Sequence, residues 1–413
     1  MAGLPTLSDL APGRGSSPAR ARSPSTPRKR PSRGGWPTAL VEWFQREARP
    51  LPWRETRDPY RILVAEVLLQ QTRVDQALPF YHRFLRRFPT LDALARARES
   101  SVLKAWEGAG YYARARHLRA LARTLVREQG GRFPRSAREL ATLPGVGPYT
   151  SRAVAALAFG EQVVALDSNG VRVLSRLELT SGGPAELGER ADRALGELPP
   201  RAFNEALMEL GQRYCLPRRP RCRECPLRGE CLAVRKLTDP GVFPPRRPAP
   251  TRVREEEGRG VLVSPGGRVL LHRRPSRGLL GGLWELPGGR IRSGEEPRRA
   301  VVRAWEASTG IATRVVAELG RLEQEYTHRH VVVHVFQLAP RGNLPQRVAS
   351  ARWVRASDLP RLALPRVVHR MRPWIEEALR RHRAGEEGTP GSFAPGRVKR
   401  NPRGPFARGG NGT

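Results

Sequence analysis

A proline-rich joint, Asp239-Pro-Gly-Val-Phe-Pro-Pro-Arg-Arg-Pro-Ala-Pro250, separates two stretches of this chain whose hydrophobic periods differ. Proline fixes φ and removes a backbone donor, so neither a helix nor a central strand runs through such a segment. Before the joint, apolar residues recur at spacings of three and four over 60–72, 77–88, 101–127, 137–142, 150–159 and 202–213. That is the period of helices burying one face. After it, Gly260-Val-Leu-Val-Ser264 and Arg268-Val-Leu-Leu-His272 read as strands around a Pro-Gly-Gly turn, Val331–Phe336 as another, and 297–309 as a helix. The expected architecture is a mainly α domain over 36–234, a linker at 235–250 and an α+β domain over 251–380. At 413 residues the chain is long enough for two ordinary cores, and it shows no internal repeat.

Residues 1–35 and 381–413 are rich in Pro, Gly, Arg and Ser and lack apolar periodicity, so both read as disordered tails. The chain carries 74 Lys+Arg against 39 Asp+Glu, a formal charge of +35, and most of that excess lies between the tails. Such a balance points to a polyanion, above all nucleic acid, whose phosphates release counterions when neutralised. A compositional preference for arginine is the competing explanation, since lysine is scarce. No apolar run approaches the roughly 18 residues that cross a bilayer, and the N-terminus lacks a signal-peptide core. A soluble, cytoplasmic monomer is expected.

Four cysteines, Cys215, Cys222, Cys225 and Cys231, fall in one short window as C-x6-C-x2-C-x5-C. Disulfides do not need such crowding, so a metal site is the better reading. Structural zinc usually shows two close pairs, and here only Cys222 and Cys225 make one; four thiolates hold an iron–sulfur cluster equally well. Arg218, Arg219, Arg221, Arg223 and Arg228 surround them, either as a basic loop that meets phosphate or as a solvated surface.

Three further features carry chemistry. Leu143-Pro-Gly-Val-Gly147 opens a helix, and Gly145 and Gly147 allow a tight turn whose amides face outward as a phosphate clamp; the plain alternative is an interhelical turn. Glu66 lies on a helix beside Ile62, Leu63, Leu69 and Gln70. Mostly apolar neighbours imply burial, a raised pKa and fitness to donate a proton near neutrality, unless an arginine pairs with it. Asp167 ends the apolar run Val163–Leu166 and precedes a helical stretch at 171–177. It reads as a helix N-cap whose second oxygen stays free to face a developing cation.

Taken together, LPWR at 51–54, AEVLLQQT at 65–72, GYYARAR at 110–116, LPGVGPYT at 143–150, LDSN at 166–169 and the four cysteines resemble the MutY-type adenine DNA glycosylases. That family belongs to the helix–hairpin–helix glycosylase superfamily with an iron–sulfur loop. The resemblance implies a 4Fe–4S cluster on the cysteines and, as substrate, duplex DNA in which adenine is mispaired with 8-oxoguanine or G. It implies that Glu66 protonates N7 of a flipped-out adenine, that Asp167 stabilises the sugar cation, and that Tyr149 and Asn169 support them. Gln71 and Tyr111 would wedge into the duplex beside the oxidised guanine. A stacked base must leave the helix before its bond can be attacked, which agrees with that division of labour.

The rival within the superfamily, endonuclease III, uses a lysine just after the hairpin. Here Tyr149 stands there, and no lysine occurs between Lys104 and Lys236, so no amine is at hand for a Schiff base. The family's basic pair after LDxN is Gly170-Val171 here, with only Arg172 kept, and Ala109 replaces a leucine before GYY. Residues 251–380 resemble a Nudix fold whose metal-binding carboxylates are replaced within Ala304-Trp-Glu-Ala-Ser308, which argues against pyrophosphate hydrolysis. GLWELP at 282–287 matches the form of that domain in this family, and Tyr326-Thr327-His328 stands where the family often shows Phe-Ser-His, a loop that reads the oxidised guanine, with Thr327 keeping the hydroxyl. A damage-binding or redox module with a dead glycosylase site is the remaining alternative, and the presence of both Glu66 and Asp167 weighs against it.

Overall fold

The computed structural model describes residues 34–245 and 251–385. The expected tails and part of the linker lie outside these residues, apart from inner edges that are helical.

The N-terminal half is all helix: α1 (Gly35–Glu47), α2 (Pro59–Leu69), α3 (Val74–Arg87), α4 (Leu91–Arg96), α5 (Glu99–Ala105), α6 (Ala113–Gln129), α7 (Ala137–Leu140), α8 (Pro148–Val154), α9 (Ser168–Glu178), α10 (Pro184–Leu195), α11 (Pro200–Arg213) and α12 (Leu232–Lys236). Asp58 caps α2 by accepting from Tyr60 N, and Pro59 takes the first helical position, where a missing N–H costs nothing. Beyond the cap α2 is apolar on nearly every side, so it runs through the core rather than over it. The single helix expected over 101–127 is two, α5 and α6. Between them Gly108, Gly110 and Tyr111 take φ of 90°, 72° and 46°, which no right-handed helix can include. The helix expected to reach residue 72 stops at Leu69 because Gln71 has φ 59°.

Two apolar clusters divide this half into lobes. One gathers α2 through α6 and the α7–α8 hairpin; the other gathers α1, α9, α10, α11 and the cysteine loop. The segment leading to Asp167 crosses between them, with Val164 in the second cluster and Ala165 in the first.

The C-terminal half contains β1 (Val253–Leu262), β2 (Val269–Arg273), β3 (Trp284–Glu285), β4 (Gly288–Arg290), α13 (Pro297–Thr309), β5 (Thr313–Glu325), β6 (Arg329–Pro340), β7 (Ala351–Val354) and α14 (Arg366–Arg383). The larger sheet runs β4-β1-β6-β5, with β1 and β6 parallel and paired from Val253↔Arg329 to Leu262↔Leu338; the smaller runs β3-β2-β7. The two strands read around the Pro-Gly-Gly turn are present but enter different sheets, joined by the bridge Val263↔Val269. Alternation along the central strands serves both faces. Val261, Val331, Val333 and Val335 point to α14, while Leu262, Phe336 and Leu338 point to Trp305 of α13. This is the α+β architecture expected.

The halves share an apolar contact flanked by hydrogen bonds. Leu283, inside GLWELP, and Ala363 belong to the first lobe's apolar cluster. Glu107 accepts from Leu364 N and from His369 Nε2, each at 2.9 Å, and Arg116 Nη1 donates to Gly281 O at 2.7 Å. Among the described residues no helix is long and apolar enough to cross a membrane.

Candidate active site

Glu66 lies in the third turn of α2 and is 3% exposed. Its partner is not an arginine: Tyr149, at the start of α8, donates its hydroxyl to Glu66 Oε2 at 2.8 Å. Arg54 is committed to Glu209 at 2.9 Å. Burial is the largest influence on the Glu66 carboxyl and pushes it up. The Tyr149 hydrogen bond pulls it partly back, and the charges of Asp167 and Glu205 add to the rise, so that it sits at about 7. Burial likewise lifts the Tyr149 phenol well above its ordinary range, which keeps it a donor.

Asp167 caps α9. Its Oδ1 accepts from Gly170 N at 2.7 Å and its Oδ2 from Asn169 Nδ2 at 2.6 Å. A carboxylate offers about four lone-pair sites, so one face of each oxygen remains for another partner. The helix cap thus leaves this side chain able to face a further partner. Buried Asn204 fixes the approach to it, accepting from Ala165 N at 2.7 Å and donating to Val163 O at 2.9 Å. With Glu66 on one lobe and Asp167 at the edge of the other, the cleft holds one protonatable acid and one hydrogen-bonded carboxylate. That division suits departure of a leaving group that needs a proton, next to a cation that needs a counter-charge.

The four cysteines line one pocket against Val173, Leu177, Leu210 and Tyr214. Burial pushes the Cys225 thiol up to about 12 and raises Cys222 and Cys231, with the other cysteines adding to each. Thiols so placed need a bound cation to ionise. Four thiols around one buried pocket are a donor set that suits an iron–sulfur cluster or a zinc ion. Arg218, Arg219, Arg221, Arg223 and Arg228 are all exposed.

Two arginines tie this loop to the cleft. Arg172 donates to Asn169 Oδ1 (2.8 Å), Gly211 O (2.9 Å) and Cys215 O (2.7 Å). Arg176, 2% exposed, reaches Cys215 Sγ at 3.4 Å and Leu216 O at 2.7 Å. In a chain so rich in arginine nothing in the sequence marked Arg176 or Asn204.

Gly145 has φ 76°, and a Cβ there would meet His117 Cβ at 2.5 Å; Gly147 caps α8 with open space around it. The turn therefore requires glycine at 145 for its fold, and 147 is spared for close approach. Gln71 and Tyr111 are exposed, both at positive φ. Tyr111 OH lies 2.5 Å from Thr327 Oγ1, so the structure joins two expected site residues from different domains. His328 is exposed beside Thr327, whereas Tyr326 packs against the α14 side of its own core.

A cavity of about 620 Å³ lies in the C-terminal half, lined by Arg290, Arg292, Arg303, Ala304, Ala307 and Ser308. The one acid that reaches Arg303, Glu295, is held in an ion pair at 2.7 Å. No carboxylate lines the cavity where Nudix chemistry would need metal.

Residues 64–197 match the helix–hairpin–helix family described as "HhH-GPD superfamily base excision DNA repair protein", and 259–372 match the NUDIX domain. Fold and site together define a base-excision DNA glycosylase carrying a second, NUDIX domain. The chain is 32% identical over 375 residues to the adenine DNA glycosylase of Rattus norvegicus, spanning 76% of this chain and 73% of that one. To the Homo sapiens adenine DNA glycosylase it is 32% identical over 378 residues, covering 76% and 69%. To that of Mycobacterium tuberculosis it is 39% identical over 234 residues, covering 55% and 76%. This chain belongs to the adenine DNA glycosylase family. That family and endonuclease III typically bind a 4Fe–4S cluster.

Proposed function

We propose that this chain is an adenine DNA glycosylase of base-excision repair, which hydrolyses the N-glycosidic bond of adenine mispaired with 8-oxoguanine or G in duplex DNA. The observation that carries the reading is the buried Glu66, poised at about 7 by its surroundings and hydrogen-bonded to Tyr149. A flipped adenine whose N7 meets this acid leaves as a neutral base. Asp167, oriented by Asn169 and Gly170 N, stabilises the sugar cation left behind. Tyr149 occupies the place of a lyase lysine, so the enzyme removes the base without a true strand-cutting step.

The other assignments follow the same division. Gln71 and Tyr111 enter the stack, and the amides around Gly145 and Gly147 clamp phosphate. Thr327 and His328 face the base opposite, while the inward Tyr326 braces their turn. Cys215, Cys222, Cys225 and Cys231 hold a 4Fe–4S cluster that staples the basic loop; when bound it supplies structure and charge, not a step at the sugar. Residues 36–234 form the glycosylase domain and 251–380, with the end of α14, the lesion-reading domain.

Base release from duplexes carrying A opposite 8-oxoguanine, G or T tests the proposal. Release should be fastest opposite 8-oxoguanine, slower opposite G and very slow opposite T. Equal release from all three, or release of an oxidised pyrimidine in preference to adenine, would overturn it.

A further inference from the structure

Arg114 stands in the first turn of α6, and its guanidinium serves two separate chain segments. Nη1 donates to Val67 O, Leu68 O and Gln70 O at 2.6, 3.2 and 2.6 Å. Nη2 donates to Ala109 O and Gly110 O at 3.0 and 3.3 Å. Carbonyls at the end of α2 lack intrahelical donors, so the side chain acts as its cap. The acceptors at Gln70 and Gly110 immediately precede Gln71 and Tyr111, two of the few non-glycine residues at positive φ (59° and 46°). Such conformations persist only where the surroundings impose them. The same guanidinium lies 5.5 Å from the ring centroids of Trp106 and Tyr111, and Trp106 Nε1 secures Gly110 O at 3.0 Å.

We propose that Arg114 is a positioning residue that locks Gln71 and Tyr111 into one rigid two-pronged wedge, so that both enter the duplex together. The inference rests on the glycosylase reading and on the wedge role given to these two residues. It adds that neither prong is set independently. Only a planar fork reaches two carbonyl groups of neighbours at once; a lysine keeps the charge but not that geometry.

The test uses the full chain and single-turnover adenine release from A opposite 8-oxoguanine. A duplex with 2-aminopurine beside the target adenine reports unstacking without chemistry. Arg114→Lys should lower release on the order of 100-fold, as expected for misplacement of positioned groups, and should suppress the 2-aminopurine rise. Added to Gln71→Ala/Tyr111→Ala, it should cost less than about threefold more, because residues acting as a unit are not additive. Equal losses on both backgrounds would mean a merely structural role and overturn the proposal, as would wild-type unstacking in Arg114→Lys. If Arg114→Lys melts early, the single variants decide. A wedge that works as one unit loses nearly as much with Gln71→Ala or Tyr111→Ala alone as with both, whereas independent prongs give multiplied losses. A wild type that unstacks the duplex yet releases no adenine refutes the proposed activity and leaves the wedge to be judged by 2-aminopurine.

Discussion

Tyr149 holds its hydroxyl 2.8 Å from Glu66 Oε2, so the residue that takes the place of a lyase amine is the one that steadies the acid. An amine there would pair with Glu66 and favour its ionised form, whereas a buried phenol donates without carrying charge. On the proposed reading, the tyrosine at the mouth of the hairpin serves both ends: it offers no amine for a Schiff base and leaves Glu66 at about 7.

Adenine release should follow the protonated fraction of Glu66. Because burial places that carboxyl at about 7, the rate should hold below that pH and fall about tenfold per unit above it. Glu66→Gln should bind duplex normally, lose several orders of magnitude in release and show no such limb. Release within tenfold of wild type would assign the acid elsewhere. Asp167→Asn should be comparably slow, through loss of the negative charge beside the sugar.

The same burial has a thermodynamic consequence. A carboxyl raised in the folded state from 4.5 to about 7 stabilises the fold fully below the unfolded value, and that contribution is lost as pH rises through 7. Glutamine has no charge to bury. Glu66→Gln should therefore gain on wild type between pH 4.5 and 7, approaching about 3 kcal/mol at pH 8 and vanishing in acid. Urea unfolding of both proteins at pH 5 and pH 8 measures the difference, and an identical difference at the two values contradicts it.

Purified without oxygen, the protein should be yellow-brown with about four irons per chain. Cys222→Ser should lose the iron and bind DNA poorly. Because Arg172 spans Asn169 Oδ1 and Cys215 O, loss of the loop should also slacken Asp167 and slow release once duplex is saturating. Stoichiometric zinc without iron would replace the cluster assignment.

How much of this was legible in the sequence depends on which kind of signal each part uses. The burial of Glu66 and the cap at Asp167 are local: neighbours at helical spacing and the end of an apolar run announce them. The break at 106–112 was missed because α5 and α6 share an apolar period, and two glycines in a strong helical pattern are easily read through. The strand β5 escapes a periodicity reading because Arg314, Glu318, Arg321, Glu323 and Glu325 break its apolar run and two register shifts interrupt its alternation, and β7 is only four residues long. Arg176 and Asn204 carry no local signature, and Arg114, although inside the GYYARAR motif, shows no sign there of its partners; they matter because carbonyls from distant segments converge on them.

Docking of the two domains should weaken in acid. Burial alone would raise the Glu107 carboxyl, yet hydrogen bonds from His369, Lys104 and Leu364 N hold it below the usual carboxylate range. A lowered folded pKa contributes stability above the unfolded value, 4.5, that is lost as pH falls through the folded one. Glu107→Gln should remove about 1.5–3 kcal/mol of that contact at neutral pH, the usual worth of hydrogen bonds to a charged group. Hydrogen exchange at the Leu364 amide would report it as faster exchange; unchanged protection would show that the other contacts, Leu283 and Ala363 with the Arg116 bond to Gly281 O, hold the interface without Glu107.

The contact between Tyr111 OH and Thr327 Oγ1, at 2.5 Å, bears on how the lesion is read. It sets Tyr111, proposed above to enter the duplex, against the turn between β5 and β6 of the NUDIX domain. Deleting residues 251–413 is a poor probe of this turn, because it would strip Leu283 and Ala363 from the first lobe's core. Point variants are better. Thr327→Ala removes one neutral hydrogen bond, worth about 0.5–1.5 kcal/mol, and should narrow the preference for A opposite 8-oxoguanine over A opposite G by roughly 2- to 13-fold. Tyr111→Phe removes the same contact from the other side while keeping the ring that stacks. If Thr327 reads the lesion itself, Tyr111→Phe should leave the preference nearly intact. If the preference comes from the bond between the two domains, both variants should narrow it equally. Single-turnover release on the two duplexes separates these cases, and a ratio unchanged in Thr327→Ala removes the turn from lesion recognition.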